Sequence, residues 1–289
     1  MKFGFIILNY KAVNETIELL YDLKKQNWYK DVKIYVVENG SNNGSFEKLS
    51  KINDIEFTLI KSDVNLGFAR GHNLGIKKAR EDKCDFVICS NSDIRIEKQD
   101  DFLKNIIDIY KKDKSIAVIT PDIVNEREEH QNPLRRDRLT FKEILKKKIF
   151  YYLNLDSFYY FLRVYILFNL VNLLAKKKYN KELQFRKCDI VDEYIYAPNG
   201  AFFILTPTYF KYYPGLDENT FLYFEEYILA ERLFTKNLKC YLASNIKVLH
   251  KGGKSSSFNN YKEKVKFVLK HSLQSEKYFV KNVLTFKGK

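Results

Sequence analysis

Short apolar runs alternate with amphipathic helical patterns through the first 122 residues of the chain. Most of these runs end in a cluster of polar or turn-forming residues. They occupy residues 3–8, 32–37, 56–60, 86–90 and 117–120. Strands that alternate with helices at this rhythm predict a parallel, doubly wound α/β sheet. A length of 289 residues suits one large domain of this kind with an added segment.

The fourth run is followed at once by Asn91, Ser92 and Asp93. An unbroken apolar run rich in β-branched residues is typical of a buried parallel strand, and ligands bind at the carboxyl edge of such sheets. A carboxylate at this edge is suited to hold a divalent cation against phosphate oxygens. An Asp that caps a helix or closes a turn is the alternative interpretation.

Three glycines, Gly67, Gly71 and Gly75, lie in the loop and helix that follow the third run. They permit close approach of the backbone, but their spacing fits neither G-x-G-x-x-G nor a Walker A loop. Dinucleotide-binding and P-loop interpretations therefore lose their main support.

The net charge of +14 favours anionic partners, which include nucleic acid, an anionic membrane and phosphorylated substrates. The 21 Tyr and 23 Phe lie largely in apolar runs and form no nucleic-acid-binding module, so we expect no nucleic-acid partner. Four cysteines without Cys-x-x-Cys spacing indicate free thiols in a reducing compartment. The N-terminus lacks the features of a signal peptide, which favours a cytoplasmic protein.

Residues 125–192 differ in character from the rest of the chain. They are basic and aromatic, and the apolar run 158–174 is short for a transmembrane helix and is interrupted by polar residues. One span here would also place the two halves of the chain on opposite sides of the membrane. A helical pair at an anionic membrane surface and a helical subdomain packed on the core both remain open. Residues 258–289 are predicted to form a basic helical tail.

Strand patterns return at 194–197 and 201–206, separated by Pro198, Asn199 and Gly200. A predicted helix over 221–234 then carries the adjacent acids Glu225 and Glu226 near its start. Two further short strands are predicted at 239–243 and 246–249, and His250 follows the second.

Seven segments occur in the order found in glycosyltransferase family 2, and the chain most resembles the rhamnosyltransferase-like bacterial members of that family. The resemblance covers about residues 3–122 and 194–256. The segments are Ile7-Leu-Asn-Tyr10, Val36-Val-Glu-Asn-Gly-Ser41, Asn65-Leu-Gly-Phe-Ala-x-Gly-x-Asn-x-Gly75, Asn91-Ser-Asp93, Gly200-Ala201, Phe221-Leu-Tyr-Phe-Glu-Glu226 and His250-Lys-Gly-Gly253. The resemblance implies a GT-A (Rossmann-like) fold, with a mixed, mostly parallel sheet flanked by helices. The helical insert would interrupt this domain, and the helical tail would follow it.

The resemblance also implies roles for individual residues. Glu226 takes the position of the catalytic base and Glu225 that of a supporting acid. Asp93 and His250 would bind Mn²⁺ or Mg²⁺, ions compatible with carboxylate, imidazole and diphosphate ligands. The acceptor side would include Asn199, Gly200 and Ala201. The nucleotide-sugar would contact Asn9, Tyr10, Glu38, Asn65, Arg70, Asn91, Ser92 and Asp93.

Three positions depart from the pattern of the family. Asn91 replaces the first acid of the metal-binding motif, Glu38 replaces the usual Asp after the second strand, and Ile228 stands where relatives often have a further Asp. The residue-level alternatives are that Arg70 is a surface cation and that the two glutamates favour the helix N-terminus electrostatically.

The sequence therefore predicts an inverting, metal-dependent glycosyltransferase in bacterial cell-surface polysaccharide synthesis. We expect it to move L-rhamnose from dTDP-rhamnose to a lipid-linked glycan at the inner face of the plasma membrane, as a peripheral protein and a possible homodimer. The catalytic domain would span 1–257, with a nucleotide-binding part at 1–122 and an acceptor part at 193–257. A UDP-dependent hexosyl, galactofuranosyl or N-acetylhexosaminyl transferase, an inactive scaffold and a nucleic-acid-binding protein are the alternatives.

Overall fold

A mixed sheet lies at the centre of the computed structural model, which describes residues 1–174, 190–252 and 261–286. Within these ranges the sheet has nine strands, in the order β3-β2-β1-β4-β8-β6-β9-β5, with β7 paired to β9. The strands are β1 (Phe3–Asn9), β2 (Val32–Asn39), β3 (Thr58–Ser62), β4 (Phe86–Asn91), β5 (Ile94–Arg95), β6 (Ile116–Val124), β7 (Glu193–Ile195), β8 (Phe202–Leu205) and β9 (Lys239–His250).

Most paired residues belong to parallel ladders. Strands β3, β2, β1 and β4 run parallel to one another, and β6 runs parallel to β9. Strand β8 lies antiparallel between β4 and β6. The expected mixed, mostly parallel sheet is therefore confirmed.

The prediction of two strands at 239–243 and 246–249 was wrong, because β9 is continuous. The ladder with β6 shifts register where Pro121 pairs with Ala243 and Asp122 pairs with Lys247. An irregularity of this kind adds residues to one strand without ending it, so the polar residues between the two apolar runs resemble a turn in sequence.

The helices are α1 (Val13–Lys24), α2 (Ser45–Ser50), α3 (Phe68–Glu81), α4 (Phe102–Lys112), α5 (Phe141–Tyr152), α6 (Leu155–Leu174), α7 (Glu225–Thr235) and α8 (Tyr261–Tyr278). A π-helical turn, Phe279–Val283, continues α8. Helix α7 begins at Glu225 and not at 221 as predicted. The reason is local: Tyr223 and Phe224 have φ of 72° and 68°, a left-handed conformation that an α-helix cannot include.

Apolar side chains fill both faces of the sheet. Phe5 and Ile7 on one face of β1 pack with α1 and α4 residues, whereas Ile6 on the other face packs with α3. Since side chains alternate along a strand, a strand that is buried on both faces reads as a continuous apolar run. This is why β1, β2 and β4 could be located from the sequence.

Helix α5 of the insert packs against α7 and the C-terminal segment. Its inner face buries Ile144 and Tyr151 in a cluster with Ile228 of α7 and with Phe279 and Val280 of the C-terminal segment. Thr140 caps the helix in a capping box with Glu143. Of the helices in the described part of the chain, none combines the length and the apolar character needed to cross a bilayer. Cys188, Lys176–Lys178 and the boundary predicted at residue 257 lie outside the described residues.

Candidate active site

A cavity of about 610 Å³ opens at the carboxyl ends of β1, β2 and β4. This is the edge at which open α/β sheets bind ligands, and the volume is in the range of small-molecule sites. Five residues predicted to bind the nucleotide-sugar line it, namely Tyr10, Asn65, Asn91, Ser92 and Asp93. The structure therefore brings together side chains from three separate segments of the chain.

Asp93 and His250 meet at one side of this cavity. Strands β5 and β9 pair Ile94 with His250, and this register brings the His250 Nε2 to 3.3 Å from the Asp93 Oδ1. The His250 Nδ1 lies 2.7 Å from the Oε1 of Gln131. That amide oxygen accepts from the Nδ1 N–H, so Nε2 is the ring nitrogen that faces the Asp93 carboxylate.

The His250 Nε2 and the Asp93 carboxylate face each other in a way that allows both to bind one divalent cation. The amide of Gln131 orients the imidazole, as partners of metal-binding histidines commonly do. Among the described residues, no group of three or more His, Cys, Asp and Glu could hold a metal ion. The pair is therefore suited to a cation whose remaining ligands are water or diphosphate oxygens, which is the usual manner of Mg²⁺ at phosphate sites.

Asn39 organises the loop that carries Asn65, and sequence reasoning assigned it no role. Its Oδ1 accepts a hydrogen bond from the Leu66 N–H at 3.0 Å, and its Nδ2 donates to the Asn65 Oδ1 at 3.2 Å and to the Gly67 carbonyl at 3.1 Å. Asn39 also lines the cavity. It is the last residue of β2 and belongs to a polar cluster in the sequence, but nothing in that cluster distinguished it from its neighbours.

Glu38, Asn9 and Arg70 do not line the cavity. The Glu38 Oε1 accepts from the Ser41 N–H at 2.9 Å and closes the turn after β2. Asn9 is buried, and its Oδ1 accepts from the Thr16 hydroxyl at 3.0 Å. Arg70 donates from Nε to the Glu218 carbonyl and lines a neighbouring cavity of about 310 Å³. A role for these residues in donor binding stays a prediction, and it requires either an indirect effect or a longer ligand.

Gly67 allows the loop before α7 to lie against the start of α3. It has φ +83°, and an added Cβ would lie 2.1 Å from the Phe221 carbonyl oxygen. That carbonyl accepts from the Phe68 N–H at 2.9 Å, and Phe221 lines the cavity. A side chain at 67 would therefore displace the cavity wall.

We expect Gly67→Ala to lower the free energy of unfolding by about 2 to 3 kcal/mol, because it adds both a disfavoured φ and a backbone clash. Gly44→Ala is the matched control: Gly44 has φ +79° with nothing within 4 Å of an added Cβ, so only the backbone term of about 1 to 2 kcal/mol remains. Urea denaturation measures both. Equal losses would show that the contact with Phe221 contributes nothing.

Glu225 and Glu226 form the first turn of α7 and are half-buried. They line a small enclosed void together with Phe68 and Gly200, and Phe68 also lines the large cavity. The Glu226 carboxylate lies so close to Gly200 that an added Cβ would be 2.4 Å from its Oε1. Phe68 therefore borders both the void that holds the carboxylates and the large cavity.

The two carboxyl groups differ in what stabilises their charge. Burial raises the pKa of Glu226, but backbone hydrogen bonds from its own residue and from Gly200 oppose this. Burial, and then the charge of Glu226, raises the pKa of Glu225 to about 8, and the buried Glu225 Oε1 has no hydrogen-bond partner among the described residues. Glu226 therefore ionises first, and Glu225 remains protonated near neutral pH.

The predicted acceptor-side segment connects the glutamates to the end of β4. The Asn199 Oδ1 accepts from the Ala201 N–H at 2.9 Å and the Asn199 N–H donates to the Asn132 Oδ1 at 2.7 Å. The Ala201 carbonyl then accepts from the Asn91 N–H at 2.9 Å. This chain of bonds fixes Gly200, and with it the Glu226 carboxylate, relative to Asn91 at the cavity.

Solved structures of glycosyltransferases share this fold. GalNAc-T7 with UDP, GalNAc and Mn²⁺ matches with a TM-score of 0.57 and 11% identity, over 89% of this chain and 46% of that one. TarS of S. aureus matches with a TM-score of 0.51 in its complexes with UDP (16% identity, 88% of this chain, 61% of that one) and UDP-GlcNAc (17% identity, 90% and 62%). The fold is that of the GT-A glycosyltransferases. This chain spans about half to three-fifths of the length of these proteins.

The family model described as Glycosyl transferase family 2 matches residues 5–169, which is more than half of the chain. The chain belongs to glycosyltransferase family 2, and the expected family is therefore confirmed. No curated protein sequence matches it.

Proposed function

We propose that this protein is an inverting, metal-dependent glycosyltransferase that uses a nucleotide-sugar donor. The observation that carries the proposal is that Asp93 and His250 converge beside the cavity. Glu226 lines a neighbouring void, and Phe68 borders both the void and the cavity. The donor would occupy the cavity, with its nucleoside near Tyr10 and Asn65 and its diphosphate near Asp93. A divalent cation held by Asp93 and His250 would neutralise the diphosphate, which could then leave without a proton.

The residues of the chain divide the remaining work. Glu226, ionised and held by the Gly200 N–H, accepts the proton of the acceptor hydroxyl as its oxygen attacks the anomeric carbon. The bond from that carbon to the diphosphate oxygen breaks on the opposite face, so one displacement inverts the anomeric centre. Glu225, held neutral, keeps a second negative charge away from the attacking oxygen. Phe68 must move for the acceptor to reach the carboxylate.

The donor is proposed to be dTDP-rhamnose, on the basis of the motifs shared with the rhamnosyltransferase-like members. The UDP-sugar alternative has support of a different kind, because structures with this fold were solved with UDP and with UDP-GlcNAc. The acceptor is proposed to be a lipid-linked glycan of a bacterial cell-surface polysaccharide. The proposed division into a nucleotide-binding part, 1–122, and an acceptor part, 193–257, is supported by the positions of Asp93 and Glu226 on either side of the insert.

A thermal-shift panel with dTDP, UDP and GDP, each with and without Mn²⁺, tests the donor site. At about a hundred times its dissociation constant, a ligand stabilises the folded state by about 2.7 kcal/mol. We expect one nucleotide to raise the melting temperature only when Mn²⁺ is present, and we expect Asp93→Ala to abolish that metal-dependent part. Asp63→Ala is the control, because Asp63 is an exposed carboxylate away from the cavity. A shift that is independent of metal would contradict the role of Asp93, and no shift at all would favour the inactive scaffold.

A further inference from the structure

Helix α5 has a second apolar face that no other described part of the chain covers. Phe141, Leu145, Ile149 and Tyr152 are all exposed, and Phe141 and Tyr152 retain 63% and 82% of their accessible surface. Their spacing of four, four and three residues places them in one stripe along the helix. The stripe lies roughly a quarter turn around the helix from Ile144 and Tyr151, which are buried against α7 and the C-terminal segment.

Further apolar residues are exposed beyond α5. At the start of α6, Phe158 and Phe161 retain 64% and 65% of their surface, and Leu155 and Leu162 are also exposed. At the C-terminal end, the ring of Phe286 lies 5.7 Å from that of Phe141, and Phe286 lines one groove with Ile149 and Tyr152. We call this set the apolar face; it consists of Phe141, Leu145, Ile149, Tyr152, Leu153, Leu155, Phe158, Phe161, Leu162 and Phe286. Isolated exposed apolar residues are normal, but a contiguous set, such as the one that α5 forms with Phe286, marks an interaction surface.

Lysines surround this face, and the nearby acids are already paired. Lys142 and Lys146 are exposed on α5, and Lys281 lines a groove of about 520 Å³ beside Ile149, Tyr152 and Phe286. By contrast, Glu143 pairs with Arg135, Glu276 with Lys147, and Asp156 with Lys277. The unpaired charge around the apolar face is therefore positive.

We propose that the apolar face docks on an anionic lipid surface, with Phe158 and Phe161 inserted among the acyl chains and Lys142 and Lys146 at the head groups. Apolar residues bordered by lysines are the composition of helices that lie in a membrane interface. The inference rests on the proposed function only in one respect, that a lipid-linked acceptor would be delivered at such a surface. Because the inner face of α5 packs on Ile228, docking would also fix the orientation of α7 and its glutamates relative to the membrane.

A second copy of the chain fits this face less well. A two-fold dimer sets each patch against itself, which would oppose Lys142 and Lys146 to the same lysines of the other copy in a protein of net charge +14. Anionic lipid complements both the apolar and the basic parts of the surface.

Co-sedimentation with phosphatidylcholine vesicles, with and without phosphatidylglycerol, tests the proposal on the full chain. Point substitutions are required, since removing α5 would uncover Ile228 and Phe279 of the core. We expect binding that depends on phosphatidylglycerol and decreases with salt. Phe158→Ser/Phe161→Ser should lower the partition coefficient at least about tenfold. Lys142→Gln/Lys146→Gln should lower it about thirtyfold, since each basic residue contributes roughly fivefold.

The matched controls remove an exposed aromatic ring or two exposed lysines that lie outside the apolar face. Tyr212→Ser removes an exposed aromatic ring (50% accessible), and Lys77→Gln/Lys236→Gln removes two exposed lysines from other helices or loops. Controls that lose as much binding as the test variants would overturn the proposal, as would a wild type that does not bind phosphatidylglycerol vesicles. A dimer by light scattering that Phe158→Ser/Phe161→Ser converts to monomer, with vesicle binding unchanged, would assign the face to a second copy.

Vesicle binding does not depend on catalysis, so its failure is distinguishable from failure of the proposed function. The thermal shift produced by nucleotide and Mn²⁺ should be the same in the phenylalanine and lysine variants as in the wild type. A variant that keeps this shift but loses vesicle binding supports the docking surface. If the shift is lost in the phenylalanine variant, that substitution has disturbed the fold, and Lys142→Gln/Lys146→Gln then decides: unchanged vesicle binding in this second variant would overturn the proposal.

Discussion

Glu226→Gln is expected to lower kcat for sugar transfer by about 10² to 10⁴, the range for removal of a general base. Glu225→Gln is expected to change kcat by less than about threefold near neutral pH, because Glu225 is already protonated there. The two substitutions are matched in chemistry and lie next to each other on α7. The contrast between them therefore isolates the proton acceptor from the general effects of altering this turn.

The difference in charge between the two glutamates is the physical reason for this expectation. The backbone N–H of Gly200 stabilises the ionised Glu226, whereas Glu225 gains only its own backbone hydrogen bond against its burial and the charge of its neighbour. Glutamine keeps the volume and the hydrogen-bonding capacity of each side chain but cannot take up a proton. Steady-state kinetics with the donor saturating, and a thermal shift with nucleotide as the control for binding, measure the effect.

The result that would contradict the assignment is a larger loss of kcat in Glu225→Gln than in Glu226→Gln.

The pH dependence of stability gives an independent measurement of the protonation of Glu225. The pKa of Glu225 is raised by folding from about 4.5 to about 8, so its protonated form favours the folded state. Its contribution to stability is complete below the unfolded pKa and is lost as pH rises through the folded pKa. Urea denaturation of Glu225→Gln should show a smaller decrease in stability across this interval than the wild type.

The elements of the donor half could be predicted from the sequence because they depend on local patterns. Strands β1, β2 and β4 are continuous apolar runs, and the polar residues at their ends identified Asn91, Ser92 and Asp93. His250 was placed near Asp93 only through the family resemblance. The physical reason is that their proximity depends on the pairing of β5 with β9, a long-range contact that no local pattern specifies.

Three residues predicted to contact the donor do not line the cavity. A residue at the end of a strand can bond the loop that lines the cavity, as Asn39 does, or close the turn after the strand, as Glu38 does. Sequence periodicity specifies which residues alternate in direction along a strand, but it does not specify where a strand-end side chain turns. The family resemblance grouped Asn9, Glu38 and Arg70 with Tyr10 and Asn65, and a role for these three in donor binding stays a prediction although they do not line the cavity.

From the sequence, the insert and the tail were interpreted as additions to the catalytic domain. In the structure, both segments form hydrogen bonds to α7. Glu231 lies on α7, five residues after Glu226, and is fully buried. Its carboxylate accepts from Arg138 Nε at 3.0 Å, from the Tyr196 hydroxyl at 2.9 Å and from the Thr285 N–H at 3.1 Å. These partners come from the start of the insert, from just after β7 and from the C-terminal segment. Polar residues with such distant partners could not be paired from the sequence.

Glu231→Gln is expected to lower the free energy of unfolding by about 3 to 5 kcal/mol, because it removes the buried carboxylate that accepts hydrogen bonds from Arg138, Tyr196 and Thr285. Burial by itself would raise the pKa of Glu231, but the bonds from Arg138, Thr285 and Tyr196 hold that pKa below its usual value. A depressed pKa contributes stability above the unfolded pKa that is lost as pH falls. The effect of the substitution should therefore shrink in acid.

Arg135 and Glu143 provide the matched control. They form a bidentate pair with both distances at 2.9 Å, but their side chains are 30% and 39% exposed. Glu143→Gln should cost much less stability through this pair than Glu231→Gln, since water screens an exposed ion pair. If both substitutions cost the same, burial is not what makes the pair at Glu231 strong.

The same substitution distinguishes a tail that only packs from one that positions the active site. Arg138, Tyr196 and Thr285 all hold α7, and α7 carries Glu226 against Gly200. A small displacement of the helix would move the carboxylate away from the acceptor hydroxyl without altering the Asp93 side of the cavity. We therefore expect folded Glu231→Gln, assayed well below its melting temperature, to lose kcat while the KM for the donor is unchanged. A variant that is destabilised but has normal kcat would show that the tail stabilises the fold and has no part in placing the base.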